Sequence, residues 1–169
     1  MIELTTNQKG VVAETAIIHE AAKLGIVVCR PLDDARYDLV LDLPTGLMRV
    51  QCKWTPRIGD VVVVRSYSNR RAREGFRRRV YTSEEIDTVA GYCPETRRCY
   101  LLPAALFSGT SQIYLRLEPS RNNQSAGIHW AKDYEFGARL SALGPIAQLG
   151  ERRHGMAEAV GSSPTGSIA

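Results

Sequence analysis

YDLVLDLPTGLMRVQCKWTP, residues 37–56, contains two runs of alternating character joined by a short break. In the first, Tyr37, Leu39, Leu41 and Leu43 point one way and Asp38, Val40 and Asp42 the other. In the second, Met48, Val50, Cys52 and Trp54 alternate with Arg49, Gln51, Lys53 and Thr55. A period of two marks a half-buried strand. The Pro44–Thr45–Gly46 break has the residues of a tight turn, so the two runs form a hairpin. That hairpin puts Asp38 on one strand within reach of Gln51 and Lys53 on the next.

Upstream, GVVAETAIIHEAAKL, Gly10 to Leu24, reads as a helix ended by Gly25. Ile17, Ile18, Ala21 and Leu24 form its apolar stripe, and Glu14 extends that stripe at helical spacing. A carboxylate there needs a partner, because burying an isolated charge is expensive. IVVCRP is a short strand. Downstream, DVVVVRSY and QIYLRLEP are strands, and EEIDTVAGYCPETRRCYLLP is a second hairpin turning at Pro94–Arg98. AKDYEFGARLSAL closes the pattern as a helix. The order of helix, run of strands and helix predicts an α/β (α+β) domain built on one central mixed sheet flanked by helices.

The chain has 169 residues, enough for one domain, and a net charge of +4. No run of about eighteen apolar residues is present to span a membrane. The MIELTTNQKG start has no hydrophobic signal core, so a cytoplasmic location is expected. Cys29, Cys52, Cys93 and Cys99 are then expected to be reduced. Cys93 and Cys99 with His129 are the one alternative that would make a zinc set. The positive charge concentrates in RSYSNRRAREGFRRR, Arg65 to Arg79, which holds seven arginines against the single acid Glu74. Arginine suits bidentate phosphate contacts, and Tyr67 and Phe76 interleave the charges. The segment asks for a polyanion. Arg65, Asn69, Arg70, Arg71, Arg77, Arg78 and Arg79 are its candidate DNA contacts. Asn122, Asn123 and Gln124 are either a polar turn or base-reading side chains.

Glu14, Asp38, Gln51 and Lys53 together offer two carboxylates, an amide and an ammonium. These are the parts of a hydrolytic site built on a divalent metal: Mg²⁺ takes hard oxygen ligands, and a neighbouring lysine can act on water or phosphate. The arrangement, E…(Y)D…Q-x-K, resembles the PD-(D/E)XK nuclease superfamily over Gly10 to Pro56. The RSYSNRR to YLLP region and RNNQ resemble the group I intron-associated homing endonucleases within it. The resemblance implies a restriction-endonuclease-like domain that cuts double-stranded DNA with Mg²⁺, for which Mn²⁺ would substitute. It makes Asp38 and Glu14 metal-binding acids, Gln51 an auxiliary ligand and Lys53 the catalytic lysine. Two positions depart from the pattern: Gln51 stands where the second acid is usual, and Tyr37 rather than proline precedes Asp38. Asp34, in the turn before the strand, is an alternative acid.

GPIAQLGERRHGMAEAVGSSPTGSIA, residues 144–169, is small and polar, without sustained periodicity, and as protein reads as disordered. It also resembles a translated alanine tRNA gene, since synonymous codons over Gly144–Ser167 can spell a complete cloverleaf in one frame. The expected organisation is an endonuclease domain over 1–143 and a tail over 144–169. The expected function is cleavage at a site in or near a tRNA gene by a free-standing mobile nuclease, acting as a dimer or tetramer. The alternatives are a Holliday-junction resolvase-like nuclease and an inactive DNA-binding relic.

Overall fold

The computed structural model describes residues 3–72, 75–119 and 127–143. Helix α1 (Thr6–Lys23) begins one turn earlier than the apolar stripe predicts. The reason is a capping box: the Thr5 side chain accepts from the Gln8 N–H at 3.3 Å, and the Gln8 side chain accepts from the Thr5 N–H at 2.9 Å. At the other end, Gly25 takes a φ of 71°. The Gly25 N–H donates to Ala22 O at 2.9 Å and the Ile26 N–H to Ala21 O at 3.0 Å. This left-handed cap is the stop that the sequence marks.

Strands β1 (Val27–Cys29), β2 (Leu39–Leu43) and β3 (Gly46–Trp54) follow, with β2 and β3 paired as the expected hairpin. Next come β4 (Arg57–Ile58), β5 (Val61–Arg65), β6 (Tyr67–Ala72) and β7 (Gly75–Val80). The second predicted hairpin is β8 (Thr88–Cys93) and β9 (Arg98–Pro103). After a 3₁₀ turn at Ala104–Phe107 come β10 (Gln112–Arg116), β11 (His129–Trp130), a second 3₁₀ turn at Ala131–Tyr134 and helix α2 (Phe136–Ala142). The closing helix is therefore shorter than AKDYEFGARLSAL suggests, its first part being 3₁₀.

The central sheet runs β1-β2-β3-β8-β9 and is mixed, as expected: β3 and β8 are parallel and the other pairs antiparallel. Both helices lie on one face. Ile17 and Ala21 of α1 and Phe136 and Leu140 of α2 bury against Leu39, Leu41, Val50, Ala90 and Leu101. The opposite face is covered by a second, four-stranded sheet, β11-β10-β5-β4. There Val62, Val64 and Leu115 pack with Val89, Tyr100 and Leu102. The central sheet is thus helix-covered on one side and sheet-covered on the other. The near-continuous apolar runs of β8 and β9 follow from this, because a strand buried on both faces loses its alternation. The arginine-rich segment folds as β6–β7, a separate two-stranded ribbon. Among the described residues no helix is long and apolar enough to cross a membrane.

Candidate active site

Asp38 lies at the entrance to β2, where its N–H donates to Val50 O at 2.9 Å. Because β2 pairs Leu39 with Val50, the residue before it meets the residue after Val50, which is Gln51. The Asp38 Oδ2 accepts from the Cys52 N–H at 2.7 Å and from Gln51 Nε2. Gln51 is 6% exposed, one of four buried polar side chains among the described residues. This contact accounts for a buried glutamine on the polar face of β3: the amide is a neutral donor against a carboxylate that a glutamate would repel.

Burial raises the Asp38 carboxyl above its ordinary pKa. The Cys52 N–H opposes the rise, Glu14 adds to it by like charge, and Lys53 and Arg30 oppose it. Glu14 projects from α1, one turn before Ile17, and is half-buried beside an ion-pair partner, Arg30, just beyond β1. The predicted need of Glu14 for a partner is therefore met, by an arginine that the strand reading of IVVCRP passed over. Glu14, Arg30 and Asp38 line one open pocket of about 410 Å³ together with Pro31, Asp33, Asp34, Ala35 and Tyr37. Asp34, the alternative acid in the turn before β2, lines the same pocket.

Lys53 follows Gln51 by two residues on β3. Its Nζ donates to Tyr81 Oη at 3.2 Å and stands 4.8 Å from the centre of that ring. Arg36 lies against the same ring at 4.2 Å and pairs with Glu85 at 3.1 Å. Burial pushes Glu85 up, but the Arg36 and Thr82 N–H bonds and the charges of Arg36 and Arg79 outweigh it and hold the carboxyl below its ordinary range. Tyr81, Arg36, Arg30 and Glu85 were all invisible to sequence reasoning. Each sits where two distant segments meet, and no local pattern marks that.

The donor set fits a hard divalent cation. Two carboxylates face one pocket, and like charge between them already resists ionisation of Asp38. Among the described residues no three His, Cys, Asp or Glu side chains gather into a metal cage. A cation here would rest on Glu14 and Asp38, with the Gln51 amide, peptide oxygens and water completing its shell. The zinc alternative is not supported. Cys93 belongs to the apolar cluster on one face of the central sheet and Cys99 to that on the other, so the two thiols cannot share an ion. His129 Nδ1 pairs with Tyr134 Oη at 2.8 Å.

Of the candidate DNA contacts, Arg65 ends β5 and is exposed. The ribbon register sets Asn69 opposite Arg78, Arg70 opposite Arg77, Arg71 opposite Phe76 and Ser68 opposite Arg79. The Arg78 guanidinium stacks 3.6 Å from the Tyr67 ring, and Arg79 pairs with Glu85. Asn122, Asn123 and Gln124 lie outside the described residues, as does the tail over 144–169.

Asp38 at the start of the hairpin, Gln51 and Lys53 on the next strand, and Glu14 on the helix behind them are arranged as the nuclease resemblance of the sequence leads one to expect. Residues 4–137 match the model of the PD-(D/E)XK endonuclease family, and the chain belongs to that family. Nucleases of this family generally act with divalent metal ions. The fold is also similar to that of a bacterial homing endonuclease, I-Ssp6803I. The sequences are 29% identical, the TM-score is 0.67, and the match covers 86% of this chain and 98% of the other. No curated protein matches the chain significantly.

Proposed function

We propose that this protein is a Mg²⁺-dependent homing-type endonuclease that hydrolyses phosphodiester bonds of duplex DNA at a site in or near a tRNA gene. The observation that carries the reading is that Glu14 and Asp38 face one pocket, with Gln51 bonded to Asp38 and Lys53 two residues further along β3, and that the arginine ribbon is tied to Arg36, two residues before Asp38, through Arg79 and Glu85. The ribbon supplies phosphate contacts that set register, and Asn69 with Asn122, Asn123 and Gln124 are the candidates for reading base edges. Asp38 and Glu14 are the residues that would hold the divalent ion, whose chemistry would be to lower the pKa of water and offset charge on the scissile phosphate. Gln51 orients Asp38, and the Lys53 ammonium is the group that would act on the phosphate or the nucleophile. One small domain spans few base pairs, so a dimer or tetramer is the form that would engage a long or two-fold site.

The test is a cleavage panel with purified protein and Mg²⁺. It compares a duplex carrying an alanine tRNA gene with its flanks, a scrambled duplex of equal composition, and a four-way junction. The expected result is selective cutting of the tRNA duplex that survives moderate salt, because base contacts rather than phosphate charge supply the discrimination. Cutting of the junction irrespective of sequence would assign a resolvase. Three intact substrates with both Mg²⁺ and Mn²⁺ would leave a DNA-binding relic.

A further inference from the structure

Lysine carries its charge on a flexible four-carbon stem, so a lysine that must meet one atom of a transition state needs something to hold it. The described contacts of Lys53 converge on one residue. Tyr81 Oη accepts from Nζ at 3.2 Å, and the Tyr81 ring face lies 4.8 Å from the same ammonium. Tyr81 is itself fixed. It is 7% exposed and packed in the cluster of Val62, Val64, Ile86 and Leu115, and its N–H donates to Ser66 O at 3.2 Å. A second cation, Arg36, lies against the ring at 4.2 Å. Arg36 is immobilised by Glu85 through two N–H bonds of 3.1 and 3.3 Å and by Ser68 Oγ at 3.2 Å. Arg36 is two residues before Asp38, so the brace begins and ends on the segments that carry the site.

We infer that Tyr81, braced by Arg36, is a positioning residue that holds the Lys53 ammonium for cleavage. The inference rests on the reading of Lys53 as the lysine that acts in phosphodiester hydrolysis. A purely structural role is the competing account, since a buried tyrosine needs some partner for its hydroxyl. The two accounts part on what happens to Lys53 when only the hydroxyl is removed. Tyr81→Phe keeps the ring, the core packing and the cation–π contacts.

The experiment measures cleavage kinetics, thermal unfolding and the ¹⁵N relaxation of the Lys53 ammonium in wild type and Tyr81→Phe. Positioning predicts a kcat about ten-fold lower, the size of effect associated with a hydrogen bond to a charged group, with KM unchanged within about two-fold. It also predicts a lower order parameter at Lys53 Nζ and an unchanged Tm. An unchanged kcat, an unchanged Nζ order parameter, or a loss that tracks a fall in Tm would overturn it. If wild type cuts no DNA, the nuclease reading fails instead, and the Nζ order parameter still decides whether Tyr81 holds Lys53.

Discussion

At Gln51 the usual second acid has become an amide, and the contact it makes explains what that substitution does. Asp38 Oδ2 already accepts from the Cys52 N–H and Gln51 Nε2, and burial with the nearby Glu14 charge resists its ionisation. Gln51→Glu would replace a donor with a second carboxylate against Asp38. In chelator the variant is expected to melt lower than wild type, and its gain in Tm on adding Mn²⁺ should be the larger of the two. Equal metal-induced shifts would remove Gln51 from the metal set. The chemistry itself is tested by Asp38→Asn and Lys53→Ala. Each is expected to lose about three powers of ten or more in rate while DNA binding in a gel shift stays near wild type, because phosphate contacts lie elsewhere.

At the scale of the element, two features hold β3 in the register that the site needs. The first is steric. Gly91 on β8 pairs with Lys53, and a Cβ there would stand 2.5 Å from Thr55 Cγ2. Gly91→Ala should therefore destabilise the fold by about 1–3 kcal/mol, with Thr55→Ser restoring much of it in the double variant, as read by denaturant unfolding. The second is electrostatic. Arg49 on β3 donates to Asp87, just ahead of β8, from its backbone at 2.7 Å and from its guanidinium at 2.8 and 3.1 Å. The Arg49 side chain holds the Asp87 carboxyl below its ordinary 3.8, and burial opposes this only in part. A depressed carboxylate contributes stability that is complete above its unfolded pKa and disappears as pH falls through the folded one. Asp87→Asn should consequently flatten the acid side of a Tm-against-pH curve. A curve as steep as wild type would show that other carboxylates govern acid unfolding.

For the whole molecule, the arginine ribbon and the cleft belong to different sheets, yet Arg79, Glu85 and Arg36 connect them. Alanine at Arg77 and Arg78 should weaken DNA binding almost equally for all sequences. The slope of log K against log salt should shrink by about one for each phosphate contact removed. A change in sequence preference with no change in slope would instead make them base readers. The domain boundary proposed at 143 makes a further prediction. A chain ending at Leu143 should keep the Tm and cleavage rate of the full chain, since residues 144–169 carry no periodic apolar pattern with which to pack. A fall of more than a few degrees in Tm would show that the tail packs on the domain.

What the sequence determined was whatever repeats at a fixed local period. The alternation of residues 37–56 specified the β2–β3 hairpin, and pairing across its turn put Asp38 beside Gln51. The spacing of Glu14 before Ile17 and Ile18 aimed an acid at the buried side of α1, and Gly25 set the end of that helix. Only the tertiary structure decided which side chains from separate segments complete the site. Arg30 meets Glu14 across 16 residues of chain, Lys53 meets Tyr81 across 28 and Arg36 meets Glu85 across 49. The second sheet was equally hidden: a strand buried on both faces shows no alternation, so the apolar runs of β8 and β9 could not reveal what covered each face. Local periodicity records which way a residue points, whereas the identity of its partner depends on how the sheets stack.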